Sequence, residues 1–346
     1  MKVISKLNDC ILYQKNTINC AIKKLTQPNT RTVFITNNND NYIGCITDGD
    51  IRRALINKVD LNQPVINIVN KTSFSICESE VKTIDCNYLI SNNIFDVPII
   101  KNKKITSFLQ LKPFDSLENT TIVIQAGGLG SRLHPLTENC PKPMLKIGAR
   151  PLLEHLILQL KSFHAKNFYI SVHYLSEKII EFFQDGKNHN INIEYLEENQ
   201  RLGTAGPLGL LAPNKISENF LLLNGDIASE INFLKLTSYH SENNFDLTIC
   251  ARKHNMKVPY GVINSDDLIF KSIDEKPVIS FLINAGVYCI NKKLLPLIPK
   301  DEYFDMNTFI DIAKSKNFKI GIYPLHEYWV DIGQLADLDK VRNDWT

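Results

Sequence analysis

Short apolar runs alternate with amphipathic segments from residue 120 to the end of the chain. The apolar runs predict six buried strands, at Ile122–Gln125, Asn167–Val172, Ile191–Tyr195, Phe220–Leu223, Asp246–Ala251 and Ala285–Cys289. The amphipathic segments predict five helices, at Leu152–Phe163, Ser176–Gln184, Thr204–Leu211, Phe233–Glu242 and Met306–Lys316. Strands that alternate with helices indicate an α/β domain with a mainly parallel, doubly wound (Rossmann-like) sheet, which we place at residues 117–346.

The first third of the chain has a second pattern, in which two related stretches follow each other. Thr32–Thr36 and Tyr42–Thr47 predict strands, and three residues, Asp48-Gly49-Asp50, precede a predicted helix at Ile51–Asn57. A weaker copy follows after about 55 residues. Its predicted strands are Val65–Val69, which parallels Cys10–Tyr13, then Phe95–Ile100 and Lys104–Leu111. We therefore predict an α+β pair of repeats, at residues 1–58 and 59–115, with a polar linker at Lys112–Asn119.

Composition narrows the class of partner. The chain has 346 residues and a net charge of +2, and residues 1–116 carry the positive excess. So small a charge argues against nucleic acid as the principal partner. The sequence contains no run of 18 apolar residues, so we predict no membrane span. The eight cysteines form no Cys-x-x-Cys pair and suit a reducing cytoplasm. Abundant Asn and Lys point to a bacterial source.

The segment at residues 122–144 carries the most informative local chemistry. An apolar run leads directly into three glycines between residues 127 and 130. Glycines at such a turn let the backbone approach a ligand and present amide hydrogens to phosphate oxygens. Arg132 and Lys142 add two positive charges, so the segment predicts a triphosphate site. It is neither a Walker A loop, which needs Gly-Lys-Ser/Thr, nor the dinucleotide fingerprint, whose third glycine is missing.

The whole pattern, G-G-L-G-S-R-L-H-P-L-T followed by K-P, resembles the signature of the sugar-1-phosphate nucleotidyltransferases. The resemblance implies that a sugar-1-phosphate attacks the α-phosphorus of a nucleoside triphosphate and releases pyrophosphate. It implies two catalytic residues: Arg132 would stabilise the departing pyrophosphate with the loop amides, and Lys142 would lie at the α-phosphate. The implied nucleotide-binding residues are Gln125, Ala126, Gly127, Gly128, Gly130, Ser131, Gly203, Thr204 and Asn224.

Two acids further along the chain follow apolar runs. Phe220–Asp226 ends in Asn-Gly-Asp, and Trp329–Gly333 reads W-V-D-I-G. Taken alone, the first could be a turn and the second a helix N-cap. Both resemble family motifs whose aspartate binds the metal, which makes Asp226 and Asp331 the predicted ligands. Mg²⁺, which takes one or two carboxylates together with substrate phosphates, is the predicted cofactor.

Three more motifs match the family, Y-G-V, E-K-P and N-A-G-V-Y. They imply a sugar-phosphate site made of Tyr260, Gly261, Glu275, Lys276, Asn284 and Gly286. The loop L-G-T-A-G at Leu202–Gly206 resembles guanylyltransferases, and we expect it to open a helix whose first amides face a polar ligand. Glu197 and Glu198 could accept hydrogen bonds from a guanine amino group, or could be solvated acids. GTP is therefore the predicted donor.

The string G-C-I-T-D-G-D-I-R-R at Gly44–Arg53 resembles the end of a cystathionine-β-synthase-type (CBS) domain. The resemblance implies a regulatory nucleotide at Thr47 and Asp50. In the second copy Ser107 stands for Thr47 and Gln110 for the ribose-binding acid, so we expect only the first cleft to hold ribose. A dimerisation module without ligand is the alternative, and we expect a homo-oligomer.

Bacterial fusions of a CBS pair to this family include guanylyltransferases for mannose-1-phosphate and, in the legionaminic acid route, for glucosamine-1-phosphate. We predict that GTP and a hexose-1-phosphate, first glucosamine-1-phosphate, give a GDP-sugar for surface glycans or nonulosonic acids. The alternatives are a mannose-1-phosphate or heptose-1-phosphate guanylyltransferase and a uridylyl- or cytidylyltransferase. A scaffold that only senses nucleotides would not need the set Arg132, Lys142, Asp226 and Asp331.

Overall fold

The computed structural model describes residues 2–4, 7, 10–27, 30–81, 83–92, 94–111 and 116–345. The chain divides into two units. Met1–Thr120, Gln159–Asn167 and Asn232–Phe245 form the N-terminal unit, and Thr121–Leu158, Phe168–Ile231 and Asp246–Thr346 form the C-terminal unit. Among the described residues, no helix has the length and apolar character needed to cross a membrane.

The N-terminal unit is built on two small sheets. Its strands are β1 (Lys2–Ile4), β2 (Ile11–Tyr13), β3 (Thr32–Thr36), β4 (Tyr42–Thr47), β5 (Ile76–Cys77), β6 (Asp96–Lys101) and β7 (Lys104–Gln110). Its first helices are α1 (Ile18–Leu25), α2 (Asp48–Ile56) and α3 (Cys86–Ser91), with short 3-10 helices at Val65–Asn67 and Glu78–Glu80. The apolar side chains of α1, α2 and β3 pack into one buried cluster, which explains why this polar segment folds.

A duplicated β-α-β-β order relates the two sheets. β2 runs parallel to β3, which pairs antiparallel with β4, and β5, β6 and β7 repeat this arrangement. The predicted strand Val65–Val69 is wrong, because Val65–Asn67 is a 3-10 helix and β5 takes that place. Val65 is fully buried in the core of the first copy, so its apolar run served packing and not a sheet.

Strand register also corrects the predicted equivalence between the copies. Thr32 lies opposite Thr47, and Asp96 lies opposite Gln110. Gln110 therefore corresponds to Thr47 and not to Asp50. In the same way Ser107, opposite Ile99, corresponds to Gly44, which lies opposite Ile35. The position equivalent to Asp50 is residue 113, which lies outside the described residues.

Thr47 and Asp50 lie together at the beginning of α2. The helix begins at Asp48, three residues before the predicted Ile51, because Thr47 is its N-cap. Asp50 Oδ2 accepts hydrogen bonds from the Thr47 amide at 2.8 Å and from Thr47 Oγ1 at 2.7 Å. Such a reciprocal cap satisfies backbone donors that the first helical turn leaves without partners.

The remaining elements follow Thr120. The strands are β8 (Thr121–Gln125), β9 (Lys146–Ile147), β10 (Arg150–Pro151), β11 (Asn167–Val172), β12 (Asn192–Glu197), β13 (Asn219–Asn224), β14 (Ile227–Ser229), β15 (Leu247–Lys257), β16 (Val262–Asp266), β17 (Ile269–Asp274), β18 (Val278–Asn291), β19 (Ile320–Leu325) and β20 (Trp329–Asp331). The helices are α4 (Leu152–Ser162), α5 (Ser176–Phe183), α6 (Phe233–Glu242), α7 (Met306–Ser315) and α8 (Leu335–Trp345).

A seven-stranded sheet with the order β12-β11-β8-β13-β18-β15-β19 is the centre of the C-terminal unit. β8 and β13 are parallel, as are β15 and β19, whereas β18 runs antiparallel to both its neighbours. The α/β prediction is confirmed, and the six predicted strands are present, one (Asn167–Val172) with the predicted ends and five with shifted ends. The predicted helix Thr204–Leu211 is wrong. Only a 3-10 helix, Gly206–Leu210, forms there, in a segment that contains two glycines and Pro207.

Helix α6 belongs to the N-terminal unit, although it follows β14 in sequence. Its Lys235 side chain is 9% exposed, and Lys235 Nζ lies 3.9 Å from Asp48 Oδ1. Lys235 also donates a hydrogen bond to the Leu25 carbonyl oxygen. The N-terminal repeats thus pack on a helix that begins seven residues after Asp226.

Residues 252–282 form an extension of the sheet that we call the arm. In the arm the outer half of β15 pairs with the first half of β18, and β16 pairs with β17. Ile263, Ile269 and Phe270 are 65%, 72% and 61% exposed. Because every residue of β17 is exposed, this part of the chain has no buried face of its own.

Candidate active site

A cleft opens beside the carboxyl ends of β8 and β13, which are neighbours in the sheet. Its first half is lined by Gln125, Ala126, Gly127, Gly128, Lys142, Pro143, Ser171, Glu198, Arg201, Gly203, Thr204, Asn224, Asp226, Tyr303 and Asp305. Its second half is lined by Gly128, Leu129, Gly130, Ser131, Arg132, Leu133, Lys142, Arg201, Asp226 and Gly333. Every residue predicted to bind nucleotide lines one of the two halves. Ligands of open α/β sheets bind at this position, outside the strand ends.

The glycines of the loop after β8 are required for different reasons. A Cβ atom on Gly127 would lie 2.8 Å from Glu198 Oε1 and 3.2 Å from His173 Cβ, so the loop packs against these side chains. Gly130 has a φ of +64°, a left-handed conformation that L-residues with a Cβ rarely adopt. A Cβ on Gly128 would meet nothing within 4 Å, which leaves open space beside the loop.

Lys142, Asp226 and Asp331 come together next to this loop. Lys142 Nζ lies 2.5 Å from Asp226 Oδ2 and 3.7 Å from Asp331 Oδ1, and the lysine is only 7% exposed. The short ladder between β14 and β20 aligns Ile227 with Asp331, and the Ile332 amide donates to the Asp226 carbonyl oxygen at 3.1 Å. Two carboxylates distant in sequence are therefore held side by side by backbone pairing.

The two acids fit a divalent cation. Asp226 Oδ1 is buried and has no hydrogen-bond partner among the described residues, which is the state expected of an oxygen that a metal would engage. Burial, and then the neighbouring Asp226, raise the pKa of Asp331, while Lys142 and Arg132 oppose that rise. The described residues hold no group of three or more His, Cys, Asp or Glu side chains suited to a metal. A cation here would thus take two carboxylates and complete its shell with substrate phosphates or water.

Arg132 lies in the 3-10 helix Ser131–Leu133 and lines the second half of the cleft. A Cβ on Gly333, just after the Asp331 strand, would lie 3.5 Å from Arg132 Nη1. The structure therefore brings together the four residues that the sequence predicted for catalysis and metal binding. In the second half of the cleft the glycine loop is accompanied by two cations, Arg132 and Lys142.

The L-G-T-A-G loop is fixed from the side of residues 302–306. The amides of Ala205 and Gly206 both donate to the Phe304 carbonyl oxygen at 2.9 Å. Thr204 Oγ1 donates to Asp305 Oδ1 at 3.2 Å, and Gln125 Nε2 donates to the Thr204 carbonyl oxygen. The expectation that the first amides of a helix face a ligand here is therefore wrong, because Phe304 occupies two of them.

Glu198 lines the first half of the cleft, next to Gly127. Its amide continues the pairing with β11 through the Val172 carbonyl oxygen at 3.0 Å, and its Oε2 accepts from the Leu202 amide at 3.1 Å. Burial raises the pKa of Glu198, opposed by the Leu202 hydrogen bond and by the charge of Arg201. His173 Nδ1, which is buried nearby, lacks a hydrogen-bond partner among the described residues. Glu198 and His173 thus make this end of the pocket polar.

The six residues predicted to bind sugar phosphate fall into two groups. Asn284 and Gly286 lie on β18, where a Cβ on Gly286 would lie 2.4 Å from Asn224 Nδ2. Gly286 thus packs against a residue that lines the cleft, although neither Asn284 nor Gly286 is itself among the lining residues. Tyr260, Gly261, Glu275 and Lys276 lie in the two turns of the arm, and a Cβ on Gly261 would lie 3.2 Å from Glu275 Oε2. Tyr260 is 74% exposed, and none of these four is among the residues that line the cleft.

Four residues of the cleft lie outside every motif singled out in the sequence, namely Ser171, Arg201, Tyr303 and Asp305. Tyr303 OH donates to Asp305 Oδ2 at 2.9 Å, and this bond is the main cause that lowers the pKa of Asp305. Nothing near residue 303 in the sequence marks a site, since this segment reaches the cleft only by folding against the L-G-T-A-G loop. Arg201, adjacent to that loop, was the one with a usable signal.

Comparison with known proteins agrees with this geometry. Residues 121–346 match the family model described as Nucleotidyl transferase. A mannose-1-phosphate guanyltransferase of Schizosaccharomyces pombe is 33% identical over 225 residues, which are 62% of this chain and 61% of that protein. The bifunctional protein GlmU of Methanococcus maripaludis is 33% identical over 226 residues, 64% of this chain and 53% of that protein.

Solved structures extend the comparison to the fold. The crystal structure of HddC from Yersinia pseudotuberculosis complexed with GMP-PN has a TM-score of 0.53 and 26% identity, and covers 66% of this chain and 100% of that chain. The chain spans less than two thirds of the length of the curated relatives described above. The family match covers more than half of the sequence, including the whole cleft. This chain therefore belongs to the nucleotidyl transferase family.

Proposed function

We propose that the protein is a sugar-1-phosphate guanylyltransferase, which converts GTP and a hexose-1-phosphate into a GDP-sugar and pyrophosphate. The observation that carries this proposal is the contact of Lys142 with Asp226 and Asp331 beside the glycine loop. A lysine and two carboxylates at this place suit a reaction in which two phosphorylated substrates must be brought together. Positioning and charge neutralisation supply most of the rate in such transfers.

The chain's own residues would act in the following way. A phosphate oxygen of the sugar-1-phosphate attacks the α-phosphorus, and the bond from that phosphorus to the bridging oxygen of the β-phosphate breaks. Lys142 would reduce the repulsion between the two phosphates at the reacting centre. Arg132 and the loop amides would neutralise the charge that appears on pyrophosphate. The attacking phosphate is already an anion at neutral pH, so no general base is required.

Mg²⁺ bound to Asp226 and Asp331 would neutralise phosphate charge when present. The orphaned Asp226 Oδ1 and the closeness of the two carboxylates support this assignment. Lys142 competes for the same oxygens, which keeps the acids in place in the absence of a cation. On metal binding, Asp226 and Asp331 would exchange Lys142 for the cation as their partner.

Guanine as the base is supported by Glu198 and by the relatives. A carboxylate can accept from both N1–H and the 2-amino group of guanine, an arrangement that adenine, uracil and cytosine cannot match. Glu198 lines the cleft next to Gly127, where a base placed beside that glycine would reach it. The S. pombe relative is named a guanyltransferase, and HddC was crystallised with a guanine nucleotide analogue.

For the sugar, mannose-1-phosphate is the first candidate, because the S. pombe relative carries that name. Glucosamine-1-phosphate, favoured by the resemblance to fusions with CBS repeats, is the second. The arm residues Glu275 and Lys276 would hold sugar hydroxyls and the sugar phosphate. For this they must approach the cleft when substrate binds, since both side chains are more than half exposed, 72% and 57%.

The N-terminal repeats would bind a regulatory nucleotide at Thr47 and Asp50. The duplicated β-α-β-β order and the paired position of the two residues at the start of α2 support this. Since Gln110 takes the place of Thr47 in the second copy, one ligand per chain is expected.

One assay tests the main proposal. Pyrophosphate release by the full chain is measured with ATP, CTP, GTP and UTP, each against mannose-1-phosphate, glucosamine-1-phosphate, glucose-1-phosphate and a heptose-1-phosphate. Release that is greatest with GTP supports the proposal and identifies the sugar. Higher kcat/KM with UTP or CTP would overturn the guanine assignment, and no release from any pair would overturn the activity itself.

A further inference from the structure

We infer that Arg201 is a third cation of the triphosphate site, which contacts the phosphates that leave as pyrophosphate. The inference rests on the proposed function and adds a substrate-binding residue to it. It starts from the position of Arg201. Besides Arg201, only Gly128, Lys142 and Asp226 line both halves of the cleft. Arg201 therefore lies where the pocket of Glu198 meets the glycine loop and Arg132.

The backbone that carries Arg201 is fixed on both sides. The Leu202 amide donates to Glu198 Oε2 at 3.1 Å, and the Phe304 amide donates to the Leu202 carbonyl oxygen at 2.7 Å. On the other side, Gln200 Nε2 donates to the Asp301 carbonyl oxygen at 2.8 Å. The side chain of Arg201 is exposed, so it can adjust while its Cα position is held. The backbone at Arg201 is therefore already ordered before a ligand binds. The planar guanidinium loses little conformational entropy for each hydrogen bond that it then forms.

The guanidinium of Arg201 is not used by the protein itself. Within the described part of the chain it makes no hydrogen bond, and no carboxylate oxygen lies within 4.0 Å of it. Its charge is felt at longer range by Glu198, Asp305 and Tyr303, whose pKa values it lowers as a minor cause. A cation at the rim of a cleft without a direct partner is available to an anionic ligand.

The charge balance of the cleft explains why a third cation is needed. Lys142 is paired with Asp226 and lies close to Asp331, so these three groups together are anionic before a metal binds. A bound Mg²⁺ would make the net charge of this group positive. A triphosphate carries several negative charges, and of the residues described above only Arg132 would remain to neutralise them. The planar fork of an arginine suits two phosphate oxygens at once. Arg201 is the side chain at the junction that can supply it.

The test uses the full chain with three substitutions, Arg201→Ala, Arg201→Lys and, as a matched control, Arg150→Ala. Arg150 is an exposed arginine whose nearest acid is Glu154 at 3.8 Å, and it is not among the cleft-lining residues. Calorimetry measures the affinity for GTP, for inorganic pyrophosphate and for GMP, all with Mg²⁺. Steady-state assays give KM for GTP and for the sugar-1-phosphate separately.

We expect Arg201→Ala to weaken GTP and pyrophosphate binding by about tenfold or more, as for loss of a charge-assisted hydrogen bond. GMP affinity and the KM of the sugar-1-phosphate should change little, Arg201→Lys should recover part of the loss, and Arg150→Ala should match the wild type. Unchanged GTP and pyrophosphate affinity in Arg201→Ala would overturn the inference. So would an equal loss for GMP, which would mean that Arg201 acts through Glu198 and the base.

The outcomes separate this inference from the proposed function. If the wild type binds GTP and pyrophosphate but transfers no nucleotide to any sugar-1-phosphate, the activity is wrong, while the affinities of Arg201→Ala still decide the role of Arg201. If the wild type turns over and Arg201→Ala binds as tightly, only the inference fails. If the wild type binds no triphosphate, both fail.

Discussion

Lys142 Nζ lies 2.5 Å from Asp226 Oδ2, a contact between two residues that are 84 positions apart. The lysine is preceded and followed by prolines in a 3-10 helix, and the aspartate follows a buried strand. The contact therefore joins two rigid segments. It also neutralises a buried lysine charge with a carboxylate while the cleft holds no phosphate. Its partners can be changed one at a time, which makes the site testable.

Asp226→Asn should abolish most turnover while leaving the fold intact. The amide keeps the size of the side chain but removes the charge that Lys142 and a metal would share, and we expect a fall in kcat of about 100-fold or more. Pyrophosphate release and a thermal melt are measured on the same sample. Asp339→Asn, at an exposed acid on α8, serves as the control. Wild-type turnover in Asp226→Asn would contradict the metal assignment.

Lys142→Ala should also lower kcat by a large factor, because a buried cation is lost where phosphates meet. The removal leaves Asp226 and Asp331 side by side without the lysine that pairs with them, so the melting temperature should rise when Mg²⁺ is added. Lys146→Ala, an exposed lysine on β9, is the matched control. A change in thermal stability without any change in kinetics would mean that Lys142 is structural.

Glu198→Gln should reduce the preference for GTP over ITP, since ITP lacks the 2-amino group that the carboxylate would accept from. The KM for GTP should also depend on pH. Burial raises the pKa of Glu198, so on acidification it takes up a proton at a higher pH than an ordinary glutamate and loses acceptor capacity. We expect KM for GTP to rise on acidification in the wild type, with no such rise in Glu198→Gln. Parallel pH profiles for the two proteins would argue against guanine reading by Glu198.

Alanine substitutions at two adjacent glycines should give different results in a thermal melt. Gly127→Ala places a Cβ 2.8 Å from Glu198 Oε1, and overpacking of this kind costs about 1–3 kcal/mol. Gly128→Ala meets nothing within 4 Å and should leave the melting temperature unchanged. Equal stability of the two variants would show that Glu198 moves aside readily, and that the loop does not depend on this contact.

The N-terminal repeats should bind one nucleotide per chain. Calorimetry with adenine and guanine nucleotides should give a stoichiometry of one, and Asp50→Ala should remove that binding. Loss of its hydrogen bonds to Thr47 should also destabilise α2 by about 0.5–2 kcal/mol, which a melt reports separately. Gln110→Ala, at the position of the second copy that corresponds to Thr47, is the control and should bind as the wild type. Two ligands per chain, or none, would contradict the proposed site.

Local patterns were sufficient to predict the strands that end at the cleft and the residues at those ends. Gly127, Asp226 and Asp331 each follow an apolar run in the sequence. The central sheet brings the ends of β8 and β13 to one edge, and the separate β14–β20 ladder places Asp331 beside Asp226. The role of residues 301–305 could not be predicted, because Phe304 and Asp305 reach the cleft through contacts with a loop about a hundred residues away. The extent of the arm was missed for another reason: β16 and β17 are exposed and lack an apolar periodicity.

The wrong predictions have a common cause. Val65–Val69 and Thr204–Leu211 each contain apolar residues that are buried, such as Val65 and Leu208, yet both segments form short 3-10 helices. Pro64 and Pro207 stand at the beginning of these helices, where a missing amide donor is tolerated. Burial alone does not distinguish a strand from a tight helical turn when the segment is this short.

The arm has a consequence for how the domain opens. Ile269 and Phe270 point to opposite faces of β17, as successive strand residues do, and both are exposed. A two-stranded ribbon such as β16 with β17 buries too little surface to be stable alone. Its amides should therefore exchange with solvent through local unfolding, long before those of β8 and β13, which require global unfolding. If a sugar-1-phosphate or a neighbouring chain binds to the arm, hydrogen exchange should slow there before it slows elsewhere in the domain.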